Sequence, residues 1–424
     1  MYGLDLTHER LKIYHKALGD SQRINIRVDL LDEDEQPIGS MTTPEDLVLE
    51  GQMDIDVTQP VTRHLTIDAV DPDFHIPFDA RSASQAALWA NTTIRAFRGT
   101  YISHHQTQQW VYAPIFWGPI VSIEREDESV HIEAAGKETL LLAPELMWRV
   151  KTYRKGEQVV DVIRDILQTK GVTRYDLPEL DRELSKPLSI SRHQEPWGVI
   201  KRLSKLVNRH PMFDGSGRLR LRQYPGNPLW HFHDGPEGNM LTPPHLIFDL
   251  STVRNVVEVL GPKPSGKKGD KDIPKRFRYV AEASPAHPLS KESLARHDVN
   301  RPLVEALDVD IPTPPGKGAT QKEQDKYHEQ LSHKSRDARQ LADRKLAEFL
   351  RDNVTVTFNA VVMPLLEEMD LTSISYEGQQ LEVPIKQISM PLGSSEDGMS
   401  VGYLKRLSPR HRKKKTKPPR SGRR

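Results

Sequence analysis

The tightest constraint on the fold is a two-residue period running through the first third of the chain. In MDIDVTQPVTRHLTIDAVDP, Met53, Ile55 and Val57 alternate with polar residues, and Leu65, Ile67 and Ala69 repeat the pattern. Successive side chains on a strand point to opposite faces, so this pattern describes strands with one buried and one wet face. RINIRVDLLDEDEQPIGSM shows it too, turning at Gln36-Pro37, and TTIRAFRGTYISHH, WVYAPIFWGPIVSIERE and SVHIEAAGKETLLL extend it. Many short strands separated by turns predict an antiparallel barrel or sandwich over residues 1–147.

The period then changes. GEQVVDVIRDILQTKG places Val159, Val160, Ile163, Ile166 and Leu167 on one helical face, with Gly171 as its stop. EPWGVIKRLSKLVNRH does the same with Trp197, Ile200, Leu203, Leu206 and Val207. Residues 148–211 therefore read as a small α-rich insertion, too small for an enzyme core. Strands resume at 212. MFDGSGRLRLRQYP is a hairpin turned by Asp214-Gly215 and Gly217, with Leu219 and Leu221 alternating with arginines. HLIFDL follows, and then STVRNVVEVLGPKP, whose Val253, Val256, Val257, Val259 and Leu260 describe a buried strand ending at Gly261-Pro262. SGKKGDKDIPK is too polar to bury, and RFRYVAEA returns as a second strand. After RPLVEALDVD, the linker IPTPPGKGATQ feeds a polar helix with a thin stripe of Leu331, Ala338, Leu341, Leu346 and Leu350. Strands close the pattern in NVTVTFNAVVMP, LTSISYEG, LEVPIKQISMP and MSVGYLKRL. The implied organisation has four parts. They are β domain 1–147, small α/β domain 148–211, second β domain 212–404 with inserts 261–276 and 312–352, and a basic tail 405–424.

At 424 residues the chain is long enough for about two to four domains. No apolar run approaches the roughly 20 residues needed to span a bilayer. MYGLDLTHERLKIYHK mixes charge into every turn, unlike a secretory leader. Cysteine is absent, which removes disulfides, thiolate zinc sites and cysteine nucleophiles, and fits assembly in a reducing cytoplasm. The formal charge of +1 hides an asymmetry: the last 20 residues hold 11 Lys/Arg and no acid. Removing those 11 from the 60 basic residues leaves 49 against 59 acidic ones, an acidic body of net −10.

Few constellations carry chemistry. His210 and Asp214 form H-x-x-x-D, and His231 and His233 form H-x-H, a set similar to the zinc ligands of lysostaphin-type peptidoglycan endopeptidases. The two motifs lie close together, and Asp214 already heads an Asp-Gly turn. Adjacent His104 and His105 face opposite ways on a strand. GPKPSGKKGDK lacks the spacing of a phosphate loop, and no G-x-S-x-G elbow is present. The acidic runs LDEDEQ and EREDES read as hairpin tips and solvated faces. The tail KRLSPRHRKKKTKPPRSGRR is too charged and too proline-rich to pack, and its basic block suits DNA or an acidic protein. It has no aromatic residue for base stacking. A basic-tailed DNA-binding protein is therefore a further reading. Cations able to meet partners are Lys263, Lys267, Lys268 and Lys271 in the loop, and Arg410, Arg412, Lys413, Lys414, Lys415, Lys417 and Arg420 in the tail.

VRNVVEVLGPKP, RYVAEASPAHPLSKESLARHDVNRP and LAEFLRDNVTVTFNAVVMPLLEEMDLTSISYEG resemble the tail hub, or minor tail, proteins of long-tailed phages of Gram-positive hosts. The upstream helical segment and FRGTY…WVYAPIFWGPIVSIERE resemble the same family, so the likeness covers most of residues 20–410. These hubs are similar to the central baseplate hub of contractile-tailed phages. The resemblance implies a mainly β fold with α insertions: two tail-tube-like antiparallel β-barrels, a small α-rich domain and a disordered-type basic tail. It implies a homotrimer whose six barrels make a pseudo-sixfold ring, adapting a hexameric tube to a threefold tip while DNA leaves through the middle. The implied partners are the distal tail protein ring, the tape measure protein and tip or fibre proteins, with DNA passing without sequence-specific binding. No enzyme activity, cofactor or membrane span is implied, and the location is the virion tail tip after assembly in the host cytoplasm. The alternative is a tail-associated zinc peptidoglycan hydrolase using His210, Asp214, His231 and His233.

Overall fold

The computed structural model describes residues 23–41, 48–70, 92–104, 107–126, 129–143, 150–191, 193–223, 226–235, 238–248, 254–260, 277–287, 289–294, 302–306, 320–351, 354–393 and 398–403, with Tyr14, Ala17, Leu18, Leu88 and Trp89. In chain order the elements begin β1 (Ile24–Leu31), β2 (Pro37–Ser40), β3 (Val48–Asp56), β4 (Arg63–Val70), β5 (Thr93–His104), β6 (Thr107–Glu126) and β7 (Ser129–Ala135). Next come α1 (Thr139–Leu142), β8 (Lys151–Tyr153), α2 (Val159–Thr169), β9 (Tyr175–Asp176), β10 (Leu188–Ile190) and α3 (Pro196–Leu206). They are followed by β11 (His210–Phe213), β12 (Leu219–Arg222), β13 (Trp230–His233), β14 (His245–Phe248), β15 (Val256–Leu260), β16 (Arg278–Glu282), α4 (Lys291–Leu294), β17 (Pro302–Ala306) and α5 (Gln321–Arg351). The chain ends with β18 (Val354–Ala360), β19 (Leu371–Tyr376), β20 (Gln379–Pro384), β21 (Gln387–Pro391) and β22 (Met399–Tyr403). Strands hold 45% of the described residues and helices 21%, so the fold is mainly β.

The chain divides into two compact units, Met1–His245 with Val356–Leu404, and Leu246–Thr355 with Lys405–Arg424. An eleven-stranded sheet dominates the first, in the order β14-β18-β22-β21-β3-β4-β7-β6-β5-β1-β2. Among the described residues no sheet closes into a barrel. The period-two reading holds in detail: Met53, Ile55, Leu65, Ile67 and Ala69 are buried. Val57 is the exception. β3 ends at Asp56, and the Val57 N–H instead bonds Lys386 O at 3.1 Å. The 20-residue β6 pairs with β5 and then with β7, with register shifts at Ala96/Phe97 and Ile120/Ser122. Such bulges bend a strand and let one segment serve two parts of a sheet. β21 pairs with β3 from Gln387↔Asp56 to Pro391↔Gln52, so the end of the chain extends the sheet begun by its first third. Arg98 ties the same ends from the buried side, donating to the carbonyls of Pro391 at 3.0 Å and Gly393 at 2.9 Å.

The small α/β part packs α2 and α3 around Val160, Ile163, Leu167, Trp197, Ile200 and Leu203, against Phe213, Leu219 and Leu221 of the β11–β12 hairpin. Gly171 stops α2 with φ +71°, and Val172 N–H returns to Leu167 O at 2.9 Å. A side chain at that left-handed position would be strained. Leu206 departs from the periodic reading: it is 51% exposed, because α3 ends there, and Val199 is buried instead.

In the second unit, β15 is the central strand of a separate three-stranded sheet, antiparallel to β16 and parallel to β17. The sequence reading placed this strand in the second β domain, 212–404, and its sheet is separate from the large one. Parallel pairing to a strand over forty residues away leaves no local trace in sequence. α5 opens with a capping box, Thr320 N–H bonding Glu323 Oε2 at 2.8 Å. It buries Ala338, Ala342 and Leu346 against Val257, Val259 and Ala281. The buried stripe thus runs at four-residue steps through Ala342, whereas Leu331 and Leu341 are half-buried. Leu346→Ala should cost about 2–5 kcal/mol of unit stability in urea unfolding, and Leu331→Ala under about 1 kcal/mol. Equal losses would refute this packing.

Candidate functional site

The wet face of the large sheet can be read from its registers. Asn359, Ser400, Ser389, Asp54 and His64 lie across one row, and Gln52, Thr66, Glu133 and Ser122 across the next. Glu50, Asp68, His131 and Glu124 form a third row, and Thr357, Gly402, Gln387 and Asp56 a fourth, with Glu126 beside Ser129 at the end. None of these positions is Lys or Arg, and seven are carboxylates: Glu50, Asp54, Asp56, Asp68, Glu124, Glu126 and Glu133. Their neighbours are amides, hydroxyls and imidazoles. Asp54 accepts from Gln52 Nε2 at 2.8 Å and Ser389 Oγ at 2.6 Å. Asp56 accepts from Gln387 Nε2 at 3.0 Å. Hydrogen bonds of this kind fix the carboxylates without neutralising them. His131 bonds Asp68 at 2.6 Å, and this contact, with Glu133 and Glu124 nearby, raises its pKa.

A buried acidic turn holds the unit together behind this face. Between β18 and β19, Glu367, Glu368 and Asp370 are all buried. Met369 takes φ +62°, so the turn directs its neighbours to different partners. Arg63 of β4 forms an ion pair with Glu367 and donates to Ile115 O at 2.6 Å. Gly215 N–H bonds Glu367 Oε1 at 3.0 Å, and a Cβ on Gly215 would meet Pro114 O at 2.4 Å, so only glycine allows this approach. Arg222 of β12 pairs with Asp370 and reaches Glu368 O at 2.8 Å, while Trp230 Nε1 donates to Asp370 at 2.8 Å. His210 lies 3.0 Å from Glu368 Oε1. Glu138, fully buried, accepts from Thr62 at 2.6 Å through Oε1, while Oε2 has no hydrogen-bond partner. Burial pushes Glu138 up to about 7, helped by the charge of Glu368, and pushes Glu367 up to about 7 despite Arg63.

The four zinc candidates serve other ends. Asp214 Oδ1 caps its own turn, accepting from Ser216 N at 3.0 Å and Arg218 N at 3.1 Å, and Oδ2 takes Arg220 Nε at 2.6 Å. His210 meets Glu368, while His231 and His233 sit on the exposed side of β13 in another sheet. Among the described residues no group of three or more His, Cys, Asp and Glu is placed to hold a metal ion. A cleft of about 350 Å³ opens beside Asp176, Arg209, Arg220, Arg222 and Gln223. Its arginines are engaged by Gln223, by Asp176 and Asp214, and by Asp370, and its lining offers no nucleophile paired with a base. The cations at 263–271 and 410–420 lie outside the described residues, as does His105. Sequence reading assigned the acidic runs to hairpin tips and solvated faces but missed that Glu124 and Glu126 share one face with Glu50, Asp54, Asp56, Asp68 and Glu133. The signal was present: Glu50-x-Gln52-x-Asp54-x-Asp56 and Glu124-x-Glu126 keep Lys and Arg out of alternate positions.

Two outcomes follow from the junction. Glu138 and Glu367 have folded pKa values near 7, above the ordinary 4.5. Their contribution to stability is complete below about pH 4.5 and is lost as pH rises through 7. The melting temperature should fall between about pH 5 and pH 7, and Glu138→Gln should flatten that fall; an unchanged slope would contradict it. Arg222→Ala leaves Asp370 buried without its cation and should cost about 3–5 kcal/mol, read by denaturant unfolding.

No protein-family model and no curated protein matches the sequence. Solved structures do match. A tail protein from Neisseria meningitidis MC58 aligns with TM-score 0.54 at 11% identity, covering 89% of this chain and 95% of that one. The 43 kDa tail protein of prophage MuSo2 from Shewanella oneidensis aligns with TM-score 0.51 at 9% identity, covering 89% and 97%. Both likenesses run over nearly the full length of each partner. The chain has the fold of phage tail proteins, the class its sequence resembles.

Proposed function

We propose that this protein is a structural tail hub of a long-tailed phage, whose acidic sheet face lines the passage through which DNA leaves. The observation that carries this reading is the absence of Lys and Arg from the outward rows of β3, β4, β7 and the end of β6, which hold seven carboxylates. Holding a nucleic acid requires cations to replace its counterions. A wall of fixed carboxylates repels phosphates within a Debye length, about 8 Å at physiological salt, and so lets DNA slide. The hydrogen bonds to Asp54 and Asp56 keep those charges in place.

The hub is a homotrimer, each chain contributing two tube-like β parts to a pseudo-sixfold ring between the tail tube and a threefold tip. The domains at 1–147, 148–211 and 212–404 serve as first tube-like part, small hub domain and second tube-like part. The loop cations Lys263, Lys267, Lys268 and Lys271 and the tail cations from Arg410 to Arg420 contact neighbouring tail proteins: the distal tail ring, the tape measure protein and the tip or fibre proteins. The protein acts by assembly and sealing rather than catalysis.

Light scattering of the purified chain should give three times 48.3 kDa, with negative-stain rings around a central hole. A monomer even with its tail ring partner present would contradict the hub. Charge reversal tests the lining. With residues 405–424 removed, the protein should not retain duplex DNA at physiological salt, whereas Glu50→Lys, Asp68→Lys and Glu133→Lys together should bind it in a salt-sensitive way. DNA retention by the unaltered face would count against a slippery wall.

A further inference from the structure

The opposite end of the same sheet carries a surface of opposite character. On β1, β5 and the first half of β6, arginines alternate with aromatic rings. Arg23 stands over Tyr101 at 5.7 Å, and Tyr101 meets Trp110 edge to face at 5.3 Å. Arg27 and Arg95 both lie over Phe97, at 5.2 and 5.3 Å. Arg95 also faces Trp117 at 5.0 Å, and Arg174 packs on that indole at 4.1 Å. Each arginine contact is a cation–π pair, and with the Tyr101–Trp110 ring pair they form a ladder across the strands.

The ladder has more cations than its own chain neutralises. Asp29 is shared by Arg27 at 2.9 Å and Arg95 at 2.5 Å. Arg23 makes no ion pair among the described residues, and Arg174, which feels the charges of Glu35 and Asp214, has its Nε buried without a hydrogen bond. Burial lowers the Arg174 pKa, Glu35 and Asp214 oppose the shift, and Arg218 and Arg95 add to it. The surface is open: the Arg27 side chain is 44% exposed and Trp110 37%. Arginine, tryptophan and tyrosine are the residues that dominate the centres of protein interfaces.

The occupant follows from charge. Without its last 20 residues this chain carries net −10, so a second copy offers an excess of carboxylates. Single-stranded nucleic acid fits less well, because stacking needs open ring faces. Phe97 is already faced by two guanidinium groups, and Trp117 by Arg95, Arg174 and Lys137. We propose that this arginine–aromatic ladder is the surface by which one copy docks onto carboxylates of the next that lie outside the channel-lining face. Resting on the hub reading, it supplies the head-to-tail contact that a closed ring of copies requires.

The test is sedimentation of the full chain with Arg27→Glu, with Trp110→Ala, and with Arg125→Glu as a control cation on β6 outside the ladder. Wild type should associate, less strongly as salt rises. Arg27→Glu and Trp110→Ala should weaken association about tenfold or more. Arg125→Glu should match wild type in association, and it and Trp110→Ala should melt as wild type does. Trp110 is exposed, so its loss leaves the core intact, whereas Arg27→Glu also sets a second carboxylate beside the buried Asp29 and melts lower. If wild type is a trimer and the ladder variants associate equally well, this surface is not the interface and the hub reading survives. A wild-type monomer at every concentration overturns the ladder proposal and leaves the hub reading to the test with its ring partner. Variants that keep association but lose binding to a single-stranded oligonucleotide assign the ladder to nucleic acid and overturn the proposal.

Discussion

Glu367, Glu368 and Asp370 follow one another in a turn almost closed to water, and a buried carboxylate is tolerated only where the protein supplies what water would have given. Arg63, Gly215, His210, Arg222 and Trp230 supply it, from segments that lie far apart in sequence. Few arrangements satisfy all of these groups at once. The turn therefore fixes β4, the β11–β12 hairpin and β13 around one point. Protons complete the balance, since burial raises Glu138 and Glu367 into the neutral range. Such a junction specifies an arrangement more than it stabilises one, because desolvation offsets much of the pairing energy.

With the strands fixed, the alternation of side chains does the rest. Inward positions such as Met53, Ile67, Ile132 and Val401 form the core. Outward positions are free of packing demands, so their chemistry reflects what they face. On β3, β4, β7 and the end of β6 they are acidic or small and polar, and on β1, β5 and the start of β6 they are arginine and aromatic. β6 carries both characters, and its two bulges fall where one gives way to the other.

Local pattern made much of this legible. The helices at 159–169 and 196–206, the Asp214 turn and the period-two strands could be read because each signal lies within a few residues of its cause. Where reading failed, the cause was distant. β3 and β21 pair across more than 300 residues, and β15 gains a parallel neighbour in β17, neither with a local mark. Leu206 sits at a helix end where nothing covers it, which periodicity alone cannot register. The acids of LLEEMD stand between apolar residues, a hint of burial, but their partners are set by tertiary structure. The cation-free face is intermediate: each strand shows it, yet only the registers join the strands into one surface.

The central claim is that the acidic face looks into a channel. A cryo-electron microscopy map of the assembled ring tests it most directly. The account predicts Glu50, Asp68, Glu124 and Glu133 on the wall of the bore in every copy. The same residues packed against another protein, or turned to the outside of the ring, would contradict it.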